Sequence, residues 1–196
     1  MLLETTYGRG YRLLGDWAAS AEGANAAASP AAPLTNLPLP ISRLVAREEA
    51  LGQVVRLLAG HRLVTLTGSP GIGKTCLAIE AARHYAQEAG LAAFLVDLTT
   101  VAEPRQVPGA LAEVLLPGGE PRVWQAKQLA EALTNRTLLL LDGCEHVVAE
   151  TARLVHLIVT RCAGIRVLMT GRDTLRIDGE QVWRLPALEP RPARSR

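Results

Sequence analysis

Eight consecutive residues, Gly68-Ser69-Pro70-Gly71-Ile72-Gly73-Lys74-Thr75, fit the spacing G-x-x-x-x-G-K-[ST] of a phosphate-binding loop. The glycines reach backbone angles that a Cβ forbids, so successive N–H groups turn inward around an anion. Lys74 brings a mobile cation to the β- and γ-phosphates of a nucleotide. Thr75 offers a hydroxyl to Mg²⁺. A helix starting at this point aims its positive end at the phosphates, and Cys76 lies in its first turn. Gly68, Ser69, Pro70, Gly71, Ile72, Gly73, Lys74, Thr75 and Cys76 are therefore the core of a candidate nucleotide site.

Further residues could join them. Leu138-Leu139-Leu140-Leu141-Asp142 reads as a buried strand closing on a carboxylate, where a magnesium-organising acid belongs. Thr75 and Asp142 are the expected Mg²⁺ pair. Beyond Asp142 come Gly143, Cys144, Glu145 and His146. Many ATP-hydrolysing proteins place a Glu directly after the metal-binding Asp to orient the attacking water. Here Gly143 takes that place, and Glu145 lies two residues further on. Glu145 either reaches the water or simply starts the next helix, where an acid is favoured. Thr170-Gly171-Arg172 ends another apolar run, and Arg172 is a candidate sensor of the γ-phosphate through charge-assisted hydrogen bonds. Asp97 ends a third run and serves either the site or a turn cap. Val45 and Arg47 could line an adenine slot, although Arg47-Glu48-Glu49 also reads as an ordinary helix start. No His has metal-ligand spacing, so no zinc is expected. No Asn-Lys-x-Asp pattern is present, which disfavours GTP.

The elements that must position these residues alternate along the chain. Leu63 to Thr67 reads as a strand before the loop. Leu77, Ala78, Ala81, Ala82, Tyr85 and Ala89 recur at helical spacing after it, with Gly90 as a stop. Strands follow at Leu91 to Leu98, Thr137 to Leu141, Ile165 to Thr170 and Gln181 to Leu185. Helices are expected over Arg47 to Ala59, near Leu111, over Val123 to Leu133, and over Val148 to Cys162. Apolar strands separated by helices predict an α/β fold: a three-layer α/β/α sandwich of the P-loop NTPase kind around a mostly parallel five-stranded sheet. Right-handed crossovers put every strand's C-terminal end on one edge, where ligands bind.

The bulk composition narrows the function. The 196 residues are 48% hydrophobic, enough for one core. A formal net charge of +2 and 4% aromatic content argue against a nucleic-acid or membrane surface. Cys76, Cys144 and Cys162 form no pair and read as reduced thiols packed in a core. No apolar run approaches the ~20 residues of a membrane span, and the first residues lack a signal-peptide pattern, so a cytoplasmic protein is expected.

Taken with NLPLPISRLVAREEAL, HRLVTLTGSPGIGKTCLA, FLVDLTTV, LLLLDGCEHV and IRVLMTGRDTLRIDGEQVWRLPAL, the chain resembles the STAND-class signalling ATPases. Within them it is similar to bacterial transcriptional regulators whose NB-ARC-like ATPase follows a winged-helix DNA-binding domain. The resemblance runs from Asn36 to Pro190. It implies an adenine contact by the V-G-R-E segment, matched by Val45, Arg47 and Glu48 with Ala46 in the place of Gly. It implies phosphate binding by the loop, Mg²⁺ at Asp142, and nucleotide sensing by Arg172. The family's D-N-C-E-H becomes Asp142-Gly143-Cys144-Glu145-His146, so any ATPase activity is expected to be slow. Glu4 to Leu13 is similar to the last hairpin of an OmpR-type winged helix, with Gly8 and Gly10 suiting its turn.

The expected organisation is a winged-helix remnant over 1–17, a flexible linker over 18–40, the ATPase domain over 41–190 and a disordered tail over 191–196. The expected function is a nucleotide switch cycling between ATP and ADP, with Lys74, Asp142, Glu145 and Arg172 as its working residues. Expected partners are neighbouring helical and sensor domains or a second copy of the chain. DNA binding is not expected of this chain, because the recognition helix would lie upstream of residue 1. A P-loop small-molecule kinase and a DNA-binding regulator in its own right are the competing readings.

Overall fold

A computed structural model of the chain describes residues 2–6, 10–14, 35–39, 47–116, 124–133 and 136–187. The chain divides into two units, Met1–Ala32 and Pro33–Arg196. In the first, strands β1 (Leu2–Thr6) and β2 (Gly10–Leu14) pair antiparallel, with Leu2 opposite Leu14 and Thr6 opposite Gly10. Gly10 thus opens a strand instead of sitting in the turn. Gly8 lies outside the described residues, as do Val45, Ala46 and the expected tail over 191–196.

The second unit runs α1 (Glu48–Gly60), β3 (Leu63–Thr67), α2 (Lys74–Ala89), β4 (Ala92–Asp97), α3 (Val107–Leu115), α4 (Ala126–Ala132), β5 (Thr137–Asp142), α5 (Val148–Arg161), β6 (Ile165–Gly171) and β7 (Glu180–Arg184). The five strands β3 to β7 form one sheet in the order β4-β5-β6-β3-β7, and all neighbours are parallel. The leucines of β5 show why. Leu138 and Leu140 pack with Val64, Leu66 and Leu168 against the α1–α2 side. Leu139 and Leu141 pack with Val167 and Met169 against α3, α4 and α5. A strand that must bury both faces needs apolar residues at every position, and four leucines in a row supply them.

Element limits follow local chemistry. Helix α2 begins at Lys74, within the glycine loop and two residues earlier than the apolar periodicity alone indicates. It ends at Gly90, in the left-handed region at φ 62°, where the Leu91 amide closes on the Ala86 carbonyl at 2.9 Å. Helix α1 buries Val54 and Leu58 against α2. Among the described residues no helix is long and apolar enough to cross a membrane.

One stretch departs from expectation. Residues 35–39 fall in the range expected to be flexible linker, yet they dock on the sheet. Thr35 bridges Ala93 in parallel fashion, and Leu37 is buried with the α1–α2 core. The Asn36 side-chain amide donates to the Leu95 carbonyl at 2.9 Å and accepts from the Leu95 amide at 2.7 Å. An amide side chain presents the same donor and acceptor as a peptide group, so it completes the open edge of β4.

Candidate functional site

The strand order decides what meets at the C-terminal edge of the sheet. The glycine loop leaves β3, and the carboxylate of Asp142 ends β5. Strand β6 lies between them and ends in Thr170 and Gly171. The Thr75 hydroxyl, in the first turn of α2, sits 3.0 Å from both Asp142 carboxylate oxygens. The Thr170 hydroxyl, 1% exposed, donates to Asp142 Oδ1 from the other side. Two hydroxyls from two elements thus orient one carboxylate.

The loop itself wraps the lysine. Lys74 Nζ donates to the Gly68 carbonyl at 3.0 Å and the Ser69 carbonyl at 3.1 Å. Gly73 stands at φ 93°, and a Cβ there would touch nothing within 4 Å. Backbone angle, not space, calls for glycine at this position. The outcome is a partly exposed ammonium held over the start of a sixteen-residue helix. Cys76, expected to be packed, is exposed in that helix's first turn. The helix turns its apolar stripe of Leu77, Ala78, Ala81 and Ala82 to the core, and position 76 falls on the other side.

Arg47, at the start of α1, has its side chain tied to the backbone of two distant segments. It is 7% exposed, and its guanidinium donates to the Pro186 carbonyl at 2.8 Å and the Ile72 carbonyl at 3.1 Å. Arg172 is exposed just beyond β6 and takes no hydrogen bond among the described residues. Its loop is anchored by Glu180, whose carboxylate accepts from the Thr65 hydroxyl at 2.5 Å, the Leu175 amide at 2.9 Å and the Arg176 amide at 2.7 Å. Arg176 is the one non-glycine residue at positive φ among the described residues, at 56°. Sequence reading passed over Glu180, because no local pattern ties it to Thr65, 115 positions away.

Beyond Asp142 the chain leaves the sheet. Gly143 has φ 73°, and a Cβ there would collide with the Thr99 methyl. Glu145 and His146 are exposed in the turn before α5, and His146 Nε2 lies 2.6 Å from the Val101 carbonyl. Glu145 therefore belongs to the turn leading into α5 and makes no hydrogen bond to Asp142 or Thr75 among the described residues. Cys144 is buried, with Sγ 3.4 Å from Met169 Sδ. Burial, with the Glu145 and Asp142 charges adding, pushes its thiol up to about 11. Asp97 caps a turn: its Oδ1 accepts from the Thr99 amide at 2.9 Å and the Thr99 hydroxyl at 2.5 Å.

The residues present fit a Mg²⁺–nucleotide. Hydroxyl and carboxylate oxygens are the hard donors that this cation prefers. A glycine loop with an ammonium at a helix start suits a polyphosphate anion.

No protein-family model matches the chain. An uncharacterized protein of Mycobacterium tuberculosis is 32% identical over 149 residues, which are 76% of this chain and 38% of that protein. A second protein of that organism, named as a candidate HTH-type transcriptional regulator, is 35% identical over 133 residues, covering 67% of this chain and 15% of that protein. The chain thus spans well under half the length of these relatives. A chain in the structure of Drosophila ORC bound to DNA matches with a TM-score of 0.54 at 16% identity, covering 71% of this chain and 42% of that one. Its likeness concerns the fold alone: a sheet of five parallel strands between two helical layers.

Proposed function

We propose that the chain is the ATP-binding switch module of a STAND-type transcriptional regulator. The observation that carries this reading is the meeting of Lys74, Thr75 and Asp142 at one edge of the sheet. Lys74 and the loop amides hold the phosphates. Thr75 and Asp142 hold Mg²⁺, which neutralises phosphate charge when bound. Arg172 stands at the end of β6, on the edge where a γ-phosphate would sit, and reads its presence. The relative named as a candidate HTH-type regulator supports the regulatory context.

Turnover is slow in this reading. Gly143 carries no side chain to orient water, and Glu145 stands in the next turn. ATP and ADP then select different arrangements of a neighbouring domain against the sheet edge, which is how a switch works.

Calorimetric titration of ATP with and without Mg²⁺ tests the proposal. Lys74→Ala is expected to weaken ATP binding about 10- to 100-fold, the worth of one charge-assisted contact to phosphate. Equal affinities of wild type and Lys74→Ala would overturn it. Fast ATP hydrolysis by the purified chain alone would overturn the switch role.

A further inference from the structure

We propose that Arg47 is a positioning residue that shapes the phosphate loop and does not read the base. The proposal rests on the reading of the loop as a nucleotide site. Two segments far apart in sequence converge on this side chain, which itself stands on a third. Its backbone starts α1, where the Arg47 carbonyl accepts from the Leu51 amide at 2.8 Å. One guanidinium nitrogen donates to the Ile72 carbonyl at the apex of the loop, and the other to the Pro186 carbonyl in the chain leaving β7.

The exit segment holds the loop at its start as well. The Leu185 amide donates to the Thr67 carbonyl at 2.8 Å. The Leu185 carbonyl lies 3.3 Å from the point where a Cβ on Gly68 would be, so the two backbones touch. Leu185 is 2% exposed in the α1–α2 core. Residues 185–186 are therefore a wall behind the loop, and Arg47 bolts the apex to that wall.

Peptide geometry links this to the phosphates. In a trans peptide the carbonyl and the following N–H point in opposite directions. Tying the Ile72 carbonyl to Arg47 turns the Gly73 N–H away from Arg47. That N–H belongs to the set that cradles an anion in such a loop. A buried guanidinium spent on two carbonyls sets loop shape, which matters equally for any polyphosphate. A base-reading arginine would instead discriminate between purines.

The test is calorimetry of ATP, GTP and inorganic tripolyphosphate with wild type, Arg47→Ala and Arg47→Lys. Arg47→Ala is expected to weaken all three by a common factor of about ten, with the ATP-to-GTP ratio unchanged. Arg47→Lys is expected to recover part of the loss, since one ammonium replaces a two-pronged contact. A loss confined to ATP, or a changed ATP-to-GTP ratio, would overturn the assignment, and so would unchanged binding of all three. Should Arg47→Ala fail to fold, hydrogen exchange on the wild type decides. Tripolyphosphate is expected to slow exchange in the segment containing Leu185, and no slowing there overturns the proposal. A wild type that binds neither ATP nor tripolyphosphate sinks the nucleotide reading as well. A wild type that binds both, with Arg47→Ala binding them equally, sinks only the role of Arg47.

Discussion

Gly143 satisfies two demands at once. Its φ of 73° is costly for a residue with a side chain, and the Thr99 methyl fills the space that a Cβ would need. Thr99 has little room to turn aside, because its hydroxyl and its amide are both held by Asp97. The absence of a side chain after Asp142 is thus a packing requirement. Gly143→Ala is expected to destabilise the fold by about 1–3 kcal/mol, from backbone strain and the clash together. Thr99→Ser removes the methyl and keeps the hydroxyl. Adding it to Gly143→Ala should therefore restore part of the loss, leaving the strain. Urea denaturation of the two single variants and the double variant measures the coupling. Strictly additive losses would show that the two residues do not compete for space.

Among the elements, β4 stands at one edge of the sheet, with β5 as its single strand neighbour among the described residues. An open edge invites pairing with other chains. Asn36 covers it by exchanging two hydrogen bonds with Leu95, and the Arg83 guanidinium of α2 donates to the Pro38 carbonyl beside it. The segment entering the second unit is therefore clipped both to the sheet edge and to the helix that begins at the glycine loop. Asn36→Ala should cost about 1 kcal/mol, because the contacts are exposed and water replaces part of what they supply. The sharper readout is local: the Leu95 amide should exchange with solvent faster while amides of β5 keep their protection. Unchanged exchange at Leu95 would refute the edge-covering role.

For the molecule as a whole, stability against pH reports how its interior is built. Cys144 is buried beside Met169 and close to two acids, and its thiol is raised from the ordinary 9.0 to about 11. Burial raises the Cys162 thiol too. A raised acid favours the folded state while it stays protonated. That contribution is complete below pH 9, where the unfolded thiol titrates, and is lost as pH rises through about 11. Wild type should lose more stability than Cys144→Ala across this window, as read by urea midpoints at successive pH values. Parallel curves would mean that the thiolate suffers no penalty in place. The exposed Cys76 should meanwhile react with a thiol reagent in the native state, ahead of the two buried cysteines.

The glycine loop, the strand before it and the helix after it are legible in sequence because each depends on neighbours within a few residues: glycine angles, helical spacing, an apolar run. The same holds for Leu138 to Leu141, whose unbroken apolarity announces a strand buried on both faces. Other features wait on tertiary structure, since strand order sets them. Thr170 reaches Asp142 only because β6 lies between β3 and β5. Glu180 anchors the loop after β6 only because β7 pairs with β3. Arg47 finds Pro186 across 139 positions, and Asn36 finds Leu95 across 59. Short-range chemistry writes itself into local residue patterns. Contacts made by crossovers depend on which elements become neighbours, and no local pattern encodes that.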